Sequence, residues 1–112
     1  MLIQKYRRWR MLRKGVKWID FHVNFYNAQS VRLQTKAGGV LALVVTLPEM
    51  TAGELKARYP DYADKLAAYP DDQNTTMNFS IDWFRPEHIP GENPSECHDY
   101  YREIFAHWQQ RQ

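Results

Sequence analysis

The sequence contains few of the residues that cross-link small proteins. Cys97 is its one cysteine among 112 residues, which excludes an internal disulfide and fits a reducing compartment. Its four histidines form neither a His-x-x-x-His nor a His-Glu-x-x-His spacing, and no Cys/His zinc pattern occurs. We therefore expect no metal site and no cofactor.

Long apolar runs are also missing. The longest, Val40 to Val45, is far shorter than the roughly 20 residues that span a bilayer. No apolar stretch follows the basic N-terminus, as one would in a secretory signal peptide. These absences predict a soluble, cytoplasmic protein without a membrane partner.

The common catalytic motifs are absent as well. Gly38-Gly39 precedes a predicted strand, whereas a phosphate-binding loop leads from a strand into a helix with Lys and Ser or Thr. No Gly-x-Ser-x-Gly elbow occurs. Cys97 is followed by His98, but neighbouring residues of a helix point about 100° apart, so His98 cannot readily activate the thiol. We expect a protein that is not an enzyme.

Acidic side chains are absent from the first nineteen residues, which carry seven basic ones. The other 93 residues hold eight basic and thirteen acidic side chains, a formal charge of −5 that the net charge of +2 conceals. Tyr6, Trp9 and Trp18 lie among the basic residues. A basic, aromatic cluster at one end of a small domain typically meets an anionic partner. The candidate binding residues are Lys5, Arg7, Arg8, Trp9, Arg10, Arg13, Lys14 and Lys17.

This basic N-terminal segment, residues 1–19, is open to two structural interpretations. A helix over residues 3–14 is favoured, with Leu2, Tyr6, Trp9 and Val16 on one side and Gly15 as its end. Arg13 falls within that apolar side and weakens the pattern. A hairpin remains open, with its turn at Lys14-Gly15 and its first strand over residues 5–12.

Alternating polarity predicts strands further along the chain. Residues 17–26 alternate apolar and polar side chains, as do residues 31–35 and 79–84. Residues 40–46 form a continuous apolar and β-branched run, Val-Leu-Ala-Leu-Val-Val-Thr, which predicts a central strand covered on both faces. Turns at 27–30 and at Ala37-Gly38-Gly39 would join the first three strands into an antiparallel meander.

Helices are predicted between and after the strands. Thr51-Ala52-Gly53-Glu54 forms a capping box that opens a short helix, and residues 61–68 can form another. Asn93 as N-cap and Pro94 at the first position open the last helix. Its apolar stripe consists of Cys97, Tyr101, Ile104, Phe105 and Trp108.

Together these elements predict an α+β fold in one domain, residues 1–112. We expect a mostly antiparallel sheet of about four strands, an amphipathic C-terminal helix packed on one face, and short crossover helices. The hydrophobic share of 44% and aromatic share of 14% are typical of a packed globular protein.

Two further clusters are weaker candidates for function. Asp20 and His22 would project from the same side of the strand at 17–26 and could orient an imidazole as a general base. The last helix carries an acidic side, which we expect to be solvated and to offer a dock for the basic N-terminus. That side is formed by Glu96, Asp99, Glu103 and His107.

Three functional hypotheses follow, in order of preference. The first is a small non-catalytic binding protein whose basic N-terminus contacts nucleic acid or a nucleoprotein complex. The second is an inhibitor, immunity-type or adaptor protein that occludes an acidic protein partner, with homo-oligomers as a further candidate. The third, ranked well below these, is a small enzyme that uses His22, Asp20 and carboxylates elsewhere in the chain.

Overall fold

The fold is α+β, as predicted. The computed structural model describes residues 2–36, 41–83 and 94–112, with the backbone alone at 2–4 and 94–97. In chain order the elements are α1 (Leu2–Tyr26), β1 (Ser30–Thr35), β2 (Leu41–Thr46), β3 (Met50–Thr51), α2 (Ala52–Arg58), a 3₁₀ turn (Pro60–Tyr62), β4 (Asn74–Thr75), β5 (Asn78–Asp82) and α3 (Pro94–Gln110).

α1 is a continuous helix of 25 residues, so the strand predicted at 17–26 is wrong. The alternating apolar residues of this stretch are also pairs four residues apart, which share a helix face. Ile19 and Val23 form the pair that packs on the core, whereas Phe21 and Phe25 form the pair that faces solvent. The sequence pattern therefore fits both structures, and tertiary packing selects the helix.

The helix favoured at residues 3–14 is confirmed, but its predicted end and its predicted apolar side are wrong. Gly15 lies in the middle of α1, where its missing side chain leaves room for Ile104 of α3. Val16 is buried, whereas Tyr6 and Trp9 are exposed. The hairpin with a turn at Lys14-Gly15 is excluded, because α1 continues through both residues.

A three-stranded antiparallel sheet in the order β1-β2-β5 forms one wall of the core. β2 is central, as predicted, and its residues 41–45 are all buried. Leu43 of β2 lies opposite Leu33 of β1 and Ile81 of β5. The strands predicted at 31–35 and 79–84 correspond to β1 and β5; the turn at 37–39, residue 40 and Phe84 lie outside the described residues. α1 replaces the first strand of the predicted meander.

A second, two-stranded sheet pairs β3 with β4 and leads into α2. The Glu54 N–H donates to Thr51 Oγ1 at 3.2 Å, which confirms Thr51 as the N-cap. The short helix predicted at 61–68 is replaced by the 3₁₀ turn and a series of hydrogen-bonded turns.

α3 forms where it was predicted and packs against α1. Tyr101, Ile104 and Trp108 of its apolar stripe are buried, and Phe105 is half-buried at the edge. The Tyr101 ring stacks on Trp83, which directly follows β5, with 4.7 Å between ring centroids. Asn93 and the side chain of Cys97 lie outside the described residues.

One cluster of buried side chains joins α1, the sheet, α2 and α3. Its fully buried members are Ile19, Leu43, Val45, Leu47, Leu55 and Ile104. Within the described ranges, no helix combines the length and the apolar character that crossing a membrane requires.

Candidate functional site

The side of α1 opposite the core carries most of the basic cluster. Ile19 marks the centre of the buried side, because it is fully buried and belongs to the core cluster. At 3.6 residues per turn, Arg10, Arg13, Lys14 and Lys17 fall within an arc of about 100° on the other side. All four are exposed. The helix therefore presents four cations to solvent on one face.

These four cations and two aromatic rings line a shallow groove of about 350 Å³. The rings belong to Tyr6 and Trp9, which expose 58% and 53% of their surface. No acidic residue belongs to the lining. We call this surface the α1 groove: Tyr6, Trp9, Arg10, Arg13, Lys14 and Lys17.

Three planar groups of the α1 groove follow one another along the helix. The ring centroids of Tyr6 and Trp9 are 6.1 Å apart, and the two planes are inclined by 30°. The guanidinium carbon of Arg13 lies over the Trp9 ring, 5.3 Å from its centroid. This cation–π contact holds a charged group against an exposed indole.

The structure gathers only part of the predicted binding cluster into the groove. Trp9 and the four cations above line it together with Tyr6, whereas Lys5 and Arg7 are exposed but outside its lining. Arg8 turns towards α3, where its Nε donates to Glu103 Oε1 at 2.8 Å. The acidic side of α3 thus docks one residue of the basic segment, as expected.

Asp99, also on that acidic side, makes a local contact. Asp99 pairs with Arg102 one turn later, at 3.5 Å between Oδ1 and Nη1. The side chain of Glu96 lies outside the described residues. Among the side chains that the structure describes, no three His, Cys, Asp or Glu residues meet as a metal site would require.

The predicted arrangement of Asp20 and His22 is wrong, because a helix separates residues that a strand would place side by side. Asp20 Oδ1 accepts a hydrogen bond from the indole N–H of Trp108 at 2.8 Å. His22 Nδ1 donates to the carbonyl oxygen of Trp18 at 2.8 Å. The carboxylate thus supports the contact between α1 and α3 and does not orient the imidazole.

No protein family, no curated protein and no solved structure matches the chain. Any function therefore rests on the chemistry of the side chains that the fold leaves exposed.

Two exposed residues were missed as candidates because the sequence pattern placed them on the buried side of a strand. Phe21 and Phe25 expose 62% and 66% of their surface and stack with 6.0 Å between centroids. Their spacing of four residues, which places both on one face of a helix, was the signal in the sequence that could have identified them. Trp18, in contrast, is an aromatic residue of the basic segment that the fold uses for packing. Its ring stacks on Trp83 with 4.7 Å between centroids, and the side chain packs against the core.

Proposed function

We propose that the protein is a non-catalytic binding protein that contacts nucleic acid, alone or in a nucleoprotein complex, through the α1 groove. The observation that carries the proposal is the lining of this groove by four cations and two exposed aromatic rings. Lys and Arg neutralise phosphates and release their counterions, which supplies sequence-independent affinity. Aromatic rings offer stacking surfaces to bases.

The spacing of the cations suits a chain of phosphates. Arg10 and Lys17 are seven residues apart, about 10 Å along the helix axis. The two arginines add fork-shaped donors that can hold a phosphate with two hydrogen bonds. A strand lying along α1 would meet several cations within this length.

The charge of the remaining chain favours the same orientation. The 93 residues after the basic segment carry a formal charge of −5, which repels a polyanion. An approaching nucleic acid is therefore directed to α1. Glu103 also removes Arg8 from the positive surface, so the attraction concentrates at the groove.

Fluorescence anisotropy with a labelled oligonucleotide at several salt concentrations tests the proposal. The binding variant replaces Arg10, Arg13 and Lys17 with Ala. Its matched control removes the same charge elsewhere, by replacing the exposed cations Arg58, Lys65 and Arg111 with Ala. We expect the binding variant to weaken affinity for every sequence and to reduce the slope of log affinity against log salt by about 2–3.

Two results would contradict this function. If the control variant weakens binding as much as the groove variant, only net charge matters and the groove has no role. If the wild-type protein binds neither DNA nor RNA at low salt, nucleic-acid binding is excluded altogether.

The exposed pair of Phe21 and Phe25 favours a second candidate, an inhibitor, immunity-type or adaptor protein that occludes a protein partner. Two stacked phenylalanines on one helix face are typical of a surface that buries itself against another protein. Light scattering on the wild type and on the Phe21→Ser/Phe25→Ser variant tests its homo-oligomeric form. A dimer mass that the variant loses would support it, and a monomer mass for both would exclude self-association.

A further inference from the structure

The α1 groove contains more than an electrostatic site needs, because its two rings add nothing to the attraction of a phosphate backbone. We propose that the groove selects single-stranded nucleic acid, with an unpaired base stacked on Trp9 beside Tyr6 and the flanking phosphates on the basic residues. This inference rests on the proposed function and specifies its ligand. DNA and RNA share the required chemistry, since each unpaired base has a free aromatic face.

The protein core makes no use of the Trp9 ring. Trp83 and Trp108 are only 9% and 8% exposed, whereas Trp9 exposes 53% of its surface. The described ring contacts of Trp9 are with Tyr6 and Arg13, both within the groove. A large apolar side chain kept in water at this position is therefore available to a ligand.

Stacking on Trp9 favours an unpaired strand over a duplex. A base that stacks on this exposed ring must present an open face to it, whereas both faces of a base inside a duplex are covered by its neighbours. A base that joins the ring must leave its own stack. A single strand allows this readily, whereas a duplex must first unpair and unstack the base.

The cations then hold the strand beyond the stacked base, because all four follow Trp9 along α1. The guanidinium carbon of Arg13 lies over the indole, and this group can stack on a base or bind a phosphate. Lys14 and Lys17 continue along the same exposed side towards the middle of α1. Duplex DNA would contact these cations but neither ring. Substitution of a ring should therefore weaken the binding of a single strand and leave the binding of a duplex unchanged.

Anisotropy titrations with fluorescein-labelled oligo(dT), oligo(U) and a DNA duplex, each of about 16 nucleotides or base pairs, measure this selection. The variants are Trp9→Ala, Tyr6→Ala and Trp9→Phe, which keeps an aromatic ring. Phe25→Ala is the matched control, because it removes an exposed ring from the same helix about 24 Å away. Equal urea midpoints for wild type and Trp9→Ala verify that the exposed ring is not needed for folding.

We expect the wild type to bind at least one single strand more tightly than the duplex. Trp9→Ala should weaken single-strand binding by about 5-fold to 150-fold, which corresponds to roughly 1–3 kcal/mol, and change duplex binding less than about 2-fold. Tyr6→Ala should weaken single-strand binding in the same direction, Trp9→Phe should retain most of the affinity, and Phe25→Ala should equal the wild type. The relative affinity for oligo(dT) and oligo(U) shows whether the groove prefers DNA or RNA.

The inference and the proposed function fail in different ways. Duplex binding as tight as single-strand binding, with Trp9→Ala affecting neither, would overturn single-strand selection while leaving the nucleic-acid function intact. A wild-type protein that binds none of the three probes would overturn both. Equal losses in Trp9→Ala and Phe25→Ala would show that any exposed ring of α1 serves, which also overturns the assignment to Trp9.

Discussion

Gly15 of α1 lies directly against the side chain of Ile104 of α3 where the two helices pack. A Cβ atom added at Gly15 would lie 2.8 Å from Ile104 Cδ1, 2.9 Å from Cγ1 and closer still to Cγ2. Such distances are below those of real Cβ contacts, so Ile104, which is fully buried, would have to shift within the core. The absent side chain of Gly15 therefore sets how closely α1 and α3 approach.

The first prediction is that Gly15→Ala destabilises the protein. Alanine is the better helix former by about 1 kcal/mol, but overpacking a filled core typically costs about 1–3 kcal/mol. We expect the overpacking to prevail, and urea unfolding measures the net change. Lys14→Ala, an exposed neighbour on the same helix, should stay within about 0.5 kcal/mol of the wild type.

A double-mutant cycle with Ile104→Ala checks the cause. Because this substitution removes the three atoms that crowd residue 15, Gly15→Ala should cost less in its presence than in the wild type. A stabilised Gly15→Ala single variant would contradict the close packing of the two helices.

α1 also marks the limit of what the sequence could predict. Ile19, Phe21, Val23 and Phe25 satisfy a strand period of two and, taken in alternate pairs, a helix spacing of four. Only the packing of Ile19 on the core decides between them, and that contact is not encoded locally. Gly15 suffers from the same ambiguity, because a glycine that ends a helix and one that lets two helices touch look alike in a sequence.

Elements with unambiguous patterns were predicted correctly. β2 is apolar from Leu41 to Val45, which suits a strand buried on both faces. α3 has an N-terminal start signal and a narrow apolar stripe, so its position and its buried side both follow from the sequence. The basic surface could be predicted from the distribution of charged residues in the sequence. The hydrogen bond from Arg8 to Glu103 and the packing of Trp18 on Trp83 could not, because they are contacts between distant segments.

The second prediction concerns the hydrogen bond from Trp108 to Asp20. The indole nitrogen lies 2.8 Å from the carboxylate in a ring that is almost fully buried. Asp20→Ala should cost about 0.5–1.5 kcal/mol, because the indole N–H of Trp108 loses its acceptor at a part-buried site. Asp20→Asn keeps an acceptor oxygen and should recover part of this loss, and Asn24→Ala, an exposed change one turn later, should cost less than about 0.5 kcal/mol. Thermal unfolding of the three variants measures the differences; equal stability of all three would exclude a structural role for the bond.

The third prediction is that ionisation of Tyr26 lowers the stability of the protein in alkali. Burial raises the pKa of the Tyr26 hydroxyl above its usual value, and the neighbouring Tyr62 and Tyr59 raise it further. The ring stacks on Phe79 with 5.0 Å between centroids. Above about pH 10 the unfolded chain releases a proton that the folded chain retains, so the free energy of unfolding should fall as pH rises.

Tyr26→Phe isolates this contribution, because it keeps the ring and removes the titrating hydroxyl. Urea unfolding of both proteins between about pH 8 and pH 11 should show a steeper decline for the wild type. Parallel curves would contradict a raised pKa at Tyr26.

The last prediction separates Arg8 from Arg10, two residues apart on α1 and both exposed. Arg8 donates to Glu103, whereas Arg10 lines the α1 groove. Arg10→Ala should therefore reduce the salt slope of oligonucleotide binding by about 0.7–0.9, and Arg8→Ala should reduce it by clearly less. Glu103→Gln removes the acidic partner of Arg8, so Arg8 becomes available to phosphate and nucleic-acid binding should tighten. The loss of this surface ion pair should lower the free energy of unfolding by no more than about 1 kcal/mol. Anisotropy at several salt concentrations measures all three variants. Equal slopes for Arg8→Ala and Arg10→Ala would mean that Arg8 leaves Glu103 when nucleic acid binds, so that the pair does not limit the groove.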